Sequence, residues 1–226
     1  MHKVVGGNYL AGIWKQNFLI GLLWSASSTR NRLTKPTKWR APSWSWAALD
    51  SGIYYHLLWM QYTTPKPESD PWLKLAEDRV TMSGHDSMGQ VTRRMLKVSG
   101  YVRRAAWLRP KRETITWEFR DFQTLSDFEN WDMLRNIGDD EREWRFMGEG
   151  EQNLIAKDET GRPIAIGLLD TERACSKYIL CLAVISTRGL ILEYLAEQKA
   201  YQHIGCFMFS DPTWMSKCPV STITIV

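Results

Sequence analysis

A chain of 226 residues with 44% hydrophobic and 24% charged residues is long enough to bury one sizeable core and too apolar for wholesale disorder. A net charge of +4, from 29 Lys and Arg against 25 Asp and Glu, with the signs mixed along the chain, makes nucleic acid an unlikely partner. The longest apolar runs, 18–24 and 178–185, are far shorter than a membrane span, so a soluble protein with no membrane partner is expected. Cys175, Cys181, Cys206 and Cys218 contain no CxxC pair, and Cys181 and Cys206 stand in apolar runs. Buried free thiols in a reducing, cytoplasmic compartment are the consistent expectation. The 12 tryptophans are the compositional anomaly; they show no repeat, which favours use in packing over a base-stacking array.

One domain covering 1–226 is expected. Asn8 can cap a helix over 8–24, whose apolar stripe comprises Leu10, Ile13, Trp14, Ile20, Leu23 and Trp24. Residues 25–38 are Ser/Thr-rich and basic, an exposed loop. There follows a specific word, Arg40-Ala41-Pro42-Ser43-Trp44-Ser45-Trp46-Ala47-Ala48-Leu49-Asp50. Pro42 pushes Ala41 extended, and strand geometry would put Trp44 and Trp46 on one face with Ser43 and Ser45 on the other, ending at the Asp50-Ser51-Gly52 turn. Further strands are expected over 53–62, 77–83 and 94–106, the last two forming a hairpin around 84–89 with a bulge near Gly100. These close a first β segment, 41–106. Residues 110–150 read as a charged insertion with a short helix at 127–135. In a second β segment, 163–226, strands at 164–169, 178–185, 190–195, 203–209 and 220–226 lack helical crossovers. The fold class is therefore mainly β (α+β): an antiparallel β-barrel or sandwich with an N-terminal helix and a short helical insertion.

Tyr9-Leu10-Ala11-Gly12-Ile13-Trp14, then Leu22-Leu23-Trp24, then Ala41-Pro42-Ser43-Trp44-Ser45-Trp46-Ala47 resemble the block that follows the heterokaryon-incompatibility (HET) domain in fungal HET-domain proteins. Looser resemblance extends over 89–101, 181–183, 189–193 and 201–207. The resemblance marks Trp14, Trp24, Pro42, Trp44, Trp46 and Asp50 as a structural signature. It implies a C-terminal β module whose cell-death domain stands upstream, so that Met1 reads as a truncated or re-initiated start. The HET domain, itself similar to TIR domains, has no counterpart among these residues.

No local word demands an enzyme. Gly84-His85-Asp86-Ser87-Met88-Gly89 lacks the glycine spacing of a nucleophile elbow and the Lys-Ser/Thr that a phosphate loop needs, and its residues suit a hairpin turn. His203 and Cys206, with Cys218 following, suggest a metal set, but on a regular strand 203 and 206 face opposite ways. The carboxylates Asp139, Asp140, Glu141 and Glu143 neighbour Arg142 or Arg145, as on a solvated charged face. No catalytic, cofactor or metal site is therefore assigned. Trp59 and the pairs Arg93, Arg94 and Arg103, Arg104 are the candidate ligand or partner surface, with edge-strand protection as the plainer use of the arginines. The expectation is a non-enzymatic module for recognition or regulation of a cell-death domain, its partner a HET domain or another copy. A ligand-binding or enzymatic β-barrel lined by Trp44, Trp46 or Trp59, and a truncated gene product without independent function, are the alternatives.

Overall fold

The computed structural model describes residues 9–26, 36, 38–55, 72–82, 91–108, 153–157, 163–170, 178–209 and 211–226. It begins with a two-residue hairpin, β1 (Tyr9–Leu10) and β2 (Ile13–Trp14), followed by a 3-10 turn at Lys15–Asn17 and α1 (Phe18–Leu22). The helix expected over 8–24 is thus cut to five residues. Its apolar spacing is real, but Ala11 and Gly12 have φ of 43° and 105°, which no α-helix accommodates, and the chain reverses there. Short strands β3 (Ser25–Ala26) and β4 (Ile53–Tyr54) pair with each other.

The main sheet takes eight strands: β5 (Leu73–Met82), β6 (Val91–Leu108), β7 (Asn153–Lys157), β8 (Pro163–Leu169), β9 (Tyr178–Ile185), β10 (Arg188–Leu195), β11 (Ala200–Phe209) and β12 (Val220–Ile225). A four-residue helix, α2 (Thr213–Ser216), lies before β12. Strand order is β10-β9-β6-β12-β11-β8-β7, with β5 outside β6 and further pairings β10–β11 and β6–β7. Because β10 joins both β9 and β11, the ladder returns on itself. Among the described residues every pairing is antiparallel except the parallel bridge Tyr201↔Ile225. The mainly β, antiparallel class expected from the sequence is the class found.

The hairpin expected from 77–83 and 94–106 is β5–β6, longer at both strands. Its register shifts between Leu75 and Glu77 and again between Thr81 and Met82, not at Gly100: β6 pairs with β12 in unbroken register from Leu96 to Tyr101. Near Gly100 β6 changes partner instead. Its β5 pairing ends at Gly100 and β9 takes over at Val102, which accounts for the broken alternation there. The turn at 84–89, the insertion at 110–150 and most of the 53–62 segment lie outside the described residues. Among the described residues no helix is long and apolar enough to cross a membrane.

β9, β10 and β11 are apolar on both faces, and alternation sorts them into two cores. Leu182, Val184, Leu190, Leu192, Cys206 and Met208 pack with Leu10, Ile13, Leu22 and Trp44 of the N-terminal segment. On the other face Cys181, Ala183, Ile191, Phe207 and Phe209 pack with Trp214 and Met215 of α2. This second core is filled by rings: Phe207 stacks on Phe209 at 5.5 Å and meets Trp214 edge-on at 6.1 Å. Thr213–Ser216 was missed in the sequence, although Asp211-Pro212 signals it. Asp211 Oδ1 accepts the Thr213 N–H at 2.8 Å, holding the first turn.

Candidate functional site

The word at 40–50 is not a strand. Ser45 Oγ accepts the Ala47 N–H at 3.1 Å and caps a 3-10 turn, Trp46–Ala48. Arg40 donates from Nε to the Ala47 carbonyl at 2.6 Å and from Nη2 to the Leu49 carbonyl, and pairs through Nη1 with Asp50 at 2.7 Å. The carbonyls a β-ladder would need are thus taken by a local side chain, which is how such residues displace regular structure. As a consequence Trp44 and Trp46 do not share a face. Trp44 is fully buried in the first core, whereas Trp46 is 39% exposed.

Each residue of the word reaches a different distant element. Trp46 Nε1 donates to the Gly12 carbonyl at 2.8 Å, closing onto the β1–β2 hairpin. At Gly12 a Cβ would lie 2.8 Å from that same indole nitrogen, so both its backbone angle and its space require glycine. Trp24 Nε1 donates to the Trp44 carbonyl at 2.9 Å. Ser43 Oγ accepts the His203 N–H at 2.9 Å and donates to the Val226 carbonyl. Pro42 is buried, and its carbonyl accepts the Ser45 N–H at 3.0 Å. Trp14, half-buried, meets Tyr9 edge-on at 5.1 Å. All six signature residues therefore belong to one knot between the N-terminal segment and the sheet.

Beneath the knot β11 carries a bulge. Ile191 pairs with Gly205 but Leu192 with His203, leaving Ile204 unpaired. On its other edge the Ile204 carbonyl accepts the Asp170 N–H at 2.9 Å, continuing the register of the β8–β11 ladder and setting the end of β8 beside His203. The extra residue also changes the parity of the strand. His203 and Cys206, expected on opposite faces, lie on one side with Nε2 and Sγ 3.6 Å apart. His203 Nδ1 stands 3.1 Å from Asp170 Oδ2, and the Trp24 ring meets the imidazole edge-on at 4.8 Å. Gly205 permits the close β8 approach, since a Cβ there would meet the Leu168 carbonyl at 2.1 Å.

Asp170, His203 and Cys206 thus form a chain in the order of a thiol triad, but the thiol is not poised as a nucleophile. Cys206 is fully buried, and burial, aided by the negative charge of Asp170, pushes its pKa well above 9. Its Sγ lies 3.0 Å from the Trp24 carbonyl as a donor, which requires the protonated form. Among the described residues no three His, Cys, Asp or Glu side chains converge as metal ligands. What the constellation offers chemically is polar recognition. It opens onto a cleft of about 240 Å³ lined by Trp24, Trp39, Arg40, Asp170, Gln202 and His203. Asp170 is 4% exposed, and among the described residues its Oδ1 has no hydrogen-bond partner.

The sequence-level surface candidates do not gather at this site. Arg103 donates through Nη1 to the Trp214 carbonyl at 2.8 Å and lies 5.1 Å over the Trp214 ring, so it fastens α2 to β6. Arg104 is exposed on the opposite side of the strand. Arg93 and Arg94 stand in β6 opposite Thr81 and Val80; their side chains, and Trp59 entirely, lie outside the described residues. Asp170 was missed because it is one acidic residue closing an apolar strand. The Ile204-Gly205 pair inside the run 203–209 was the available signal for a bulge.

Comparison of the chain with protein-family models, with curated proteins and with solved structures finds no match.

Proposed function

We propose that the chain is a non-enzymatic C-terminal β module of a HET-domain type of protein, acting in the cytoplasm by recognition or restraint of a cell-death domain. One observation carries this reading. The separated words that resemble HET-domain proteins, at 9–14, 22–24, 41–47 and 201–207, meet in one knot through Trp46–Gly12, Trp24–Trp44, Ser43–His203 and Cys206–Trp24 bonds. Words scattered along a chain by chance have no reason to bond to one another, whereas a shared structural unit does. On the N-terminal segment Ile20 and Trp46 are 43% and 39% exposed, giving apolar surface beside the knot to a protein partner. Cys206 and Cys218 are free thiols, in keeping with a reducing compartment.

The test is to purify this chain and a HET domain separately and to measure their association by calorimetry. The effect of co-expressing the chain on HET-dependent toxicity completes it. Specific binding, weakened by Trp46→Ala and Ile20→Asp, is the expected result. Absence of binding together with unchanged toxicity would overturn the proposal. The cleft beside Asp170 favours a second reading, a small-ligand binder. That site is not lined by Trp44 or Trp46.

A further inference from the structure

The cleft beside the knot has an electrostatic imbalance. Asp170 is buried at its floor with Oδ1 unbonded among the described residues, and His203 Nδ1, although 3.1 Å from Oδ2, makes no aligned hydrogen bond. A buried carboxylate oxygen without a donor is unfavourable, and a native structure keeps one only where something answers it. The neighbouring groups leave Oδ1 open: His203 faces Oδ2, and Arg40 is committed to Asp50 and to the Ala47 and Leu49 carbonyls. A water would satisfy the lone pair but add no positive charge. The walls add a preference, because Trp39, 42% exposed, lines the cleft. An indole wall with a carboxylate at the floor suits an organic cation. The volume of about 240 Å³ lies below that of sites for drug-sized ligands, which limits the occupant to a small molecule or one side chain.

We infer that this cleft is a binding site for a compact organic cation, a guanidinium or primary ammonium on a short alkyl stem, with Asp170 as its counter-ion and Trp39 as its aromatic wall. The site rests on the cleft alone and stands whether or not the chain binds a HET domain. Such a cation could be a free small molecule or an arginine or lysine side chain of a peptide, and the two sources can be separated.

The test is a titration of the full chain with n-butylguanidinium and with n-butylurea, its neutral counterpart of similar shape, followed by NMR at the tryptophan indole N–H signals. Saturable shifts of Trp24 and Trp39 with the cation and none with the urea are expected. Asp170→Asn should weaken binding by about tenfold or more, as for a lost charge-assisted bond. Equal responses to both probes, no response to the cation, or undiminished binding by a folded Asp170→Asn variant would overturn the site. Should that variant fail to fold, the comparison of the two probes on the native chain still decides. L-arginine and the peptide Gly-Gly-Arg-Gly-Gly then distinguish the sources. Tighter binding of the free amino acid identifies a metabolite site, and tighter binding of the peptide a side-chain site.

Discussion

The β9–β10–β11 part of the sheet and the knot around residues 40–50 are both buried and both rich in large side chains, yet they are held by different means. In the sheet, backbone pairs with backbone and the side chains only alternate: Leu182 and Val184 to one core, Cys181 and Ala183 to the other. In the knot the backbone is bonded by side chains: Arg40 to two carbonyls, Trp24 to the Trp44 carbonyl, Trp46 to the Gly12 carbonyl and Ser43 to the His203 amide. The sheet can tolerate any apolar residue of suitable volume. The knot requires particular donors at particular positions.

Substitutions in the two regions should separate these modes, beginning with those of largest effect. Phe207→Ala in the sheet and Trp44→Ala in the knot both remove fully buried rings and should each destabilise by about 3–5 kcal/mol in denaturant melts. Trp46→Ala, two positions from Trp44, should be much milder, about 1–2 kcal/mol, because its ring is partly in solvent and chiefly a hydrogen bond is lost. Equal effects at 44 and 46 would restore the regular strand. Gly12→Ala should cost about 1–3 kcal/mol through its positive φ and the crowding against Trp46, with the crowding part disappearing in a Trp46→Ala background.

The sheet carries one deliberate test of its own. Arg188 is 2% exposed, its Nε and Nη1 have no hydrogen-bond partner among the described residues, and burial lowers its pKa to about 10, so that it remains charged at neutral pH. Removing an uncompensated buried charge while keeping the stem should be neutral or stabilising, so Arg188→Met is expected to leave the melting midpoint unchanged or raise it. A large loss would reveal a partner for the guanidinium. The smallest effect concerns pH. The Cys206 pKa is raised in the folded state above its ordinary value of 9.0, so the unfolded chain releases that proton first as pH rises. The contribution is fully present below about pH 8 and is lost as pH climbs through 9 toward the folded value, at most about 1.4 kcal/mol per unit. Cys206→Ala should flatten that part of the stability profile.

The same contrast explains what was legible in the sequence. The strand at 178–185 was read with both ends correct because an apolar run packed on two faces is its own signal. The end of β6 at Leu108 and the start of β11 at Ala200 were less legible, since partner exchange and bulges depend on other strands. The 153–157 strand, five residues long, was not recognised. In the N-terminal segment the apolar spacing of Leu10, Ile13, Leu23 and Trp24 suggested one helix, because hairpin and short helix happen to place these residues inward, while Ile20 of the same stripe is left exposed. The 40–50 word defeated periodicity altogether. Its geometry is set by Arg40 and Ser45 bonding locally and by Gly12 and His203 lying far away in the chain, and no window of sequence contains those partners. The bulge at Ile204 likewise reversed the faces of His203 and Cys206 and hid the site they form with Asp170.

The central claim is that the word at 40–50 is spliced onto the sheet at the β11 bulge by Ser43, whose Oγ receives the His203 amide that the ladder leaves over. Hydrogen exchange at that amide tests it most directly. In the native chain the His203 N–H should be protected, and in Ser43→Ala it should exchange much faster while the Cys206 and Met208 amides of the same strand keep their protection. If Ser43→Ala left the His203 amide as protected as before, the splice would not exist.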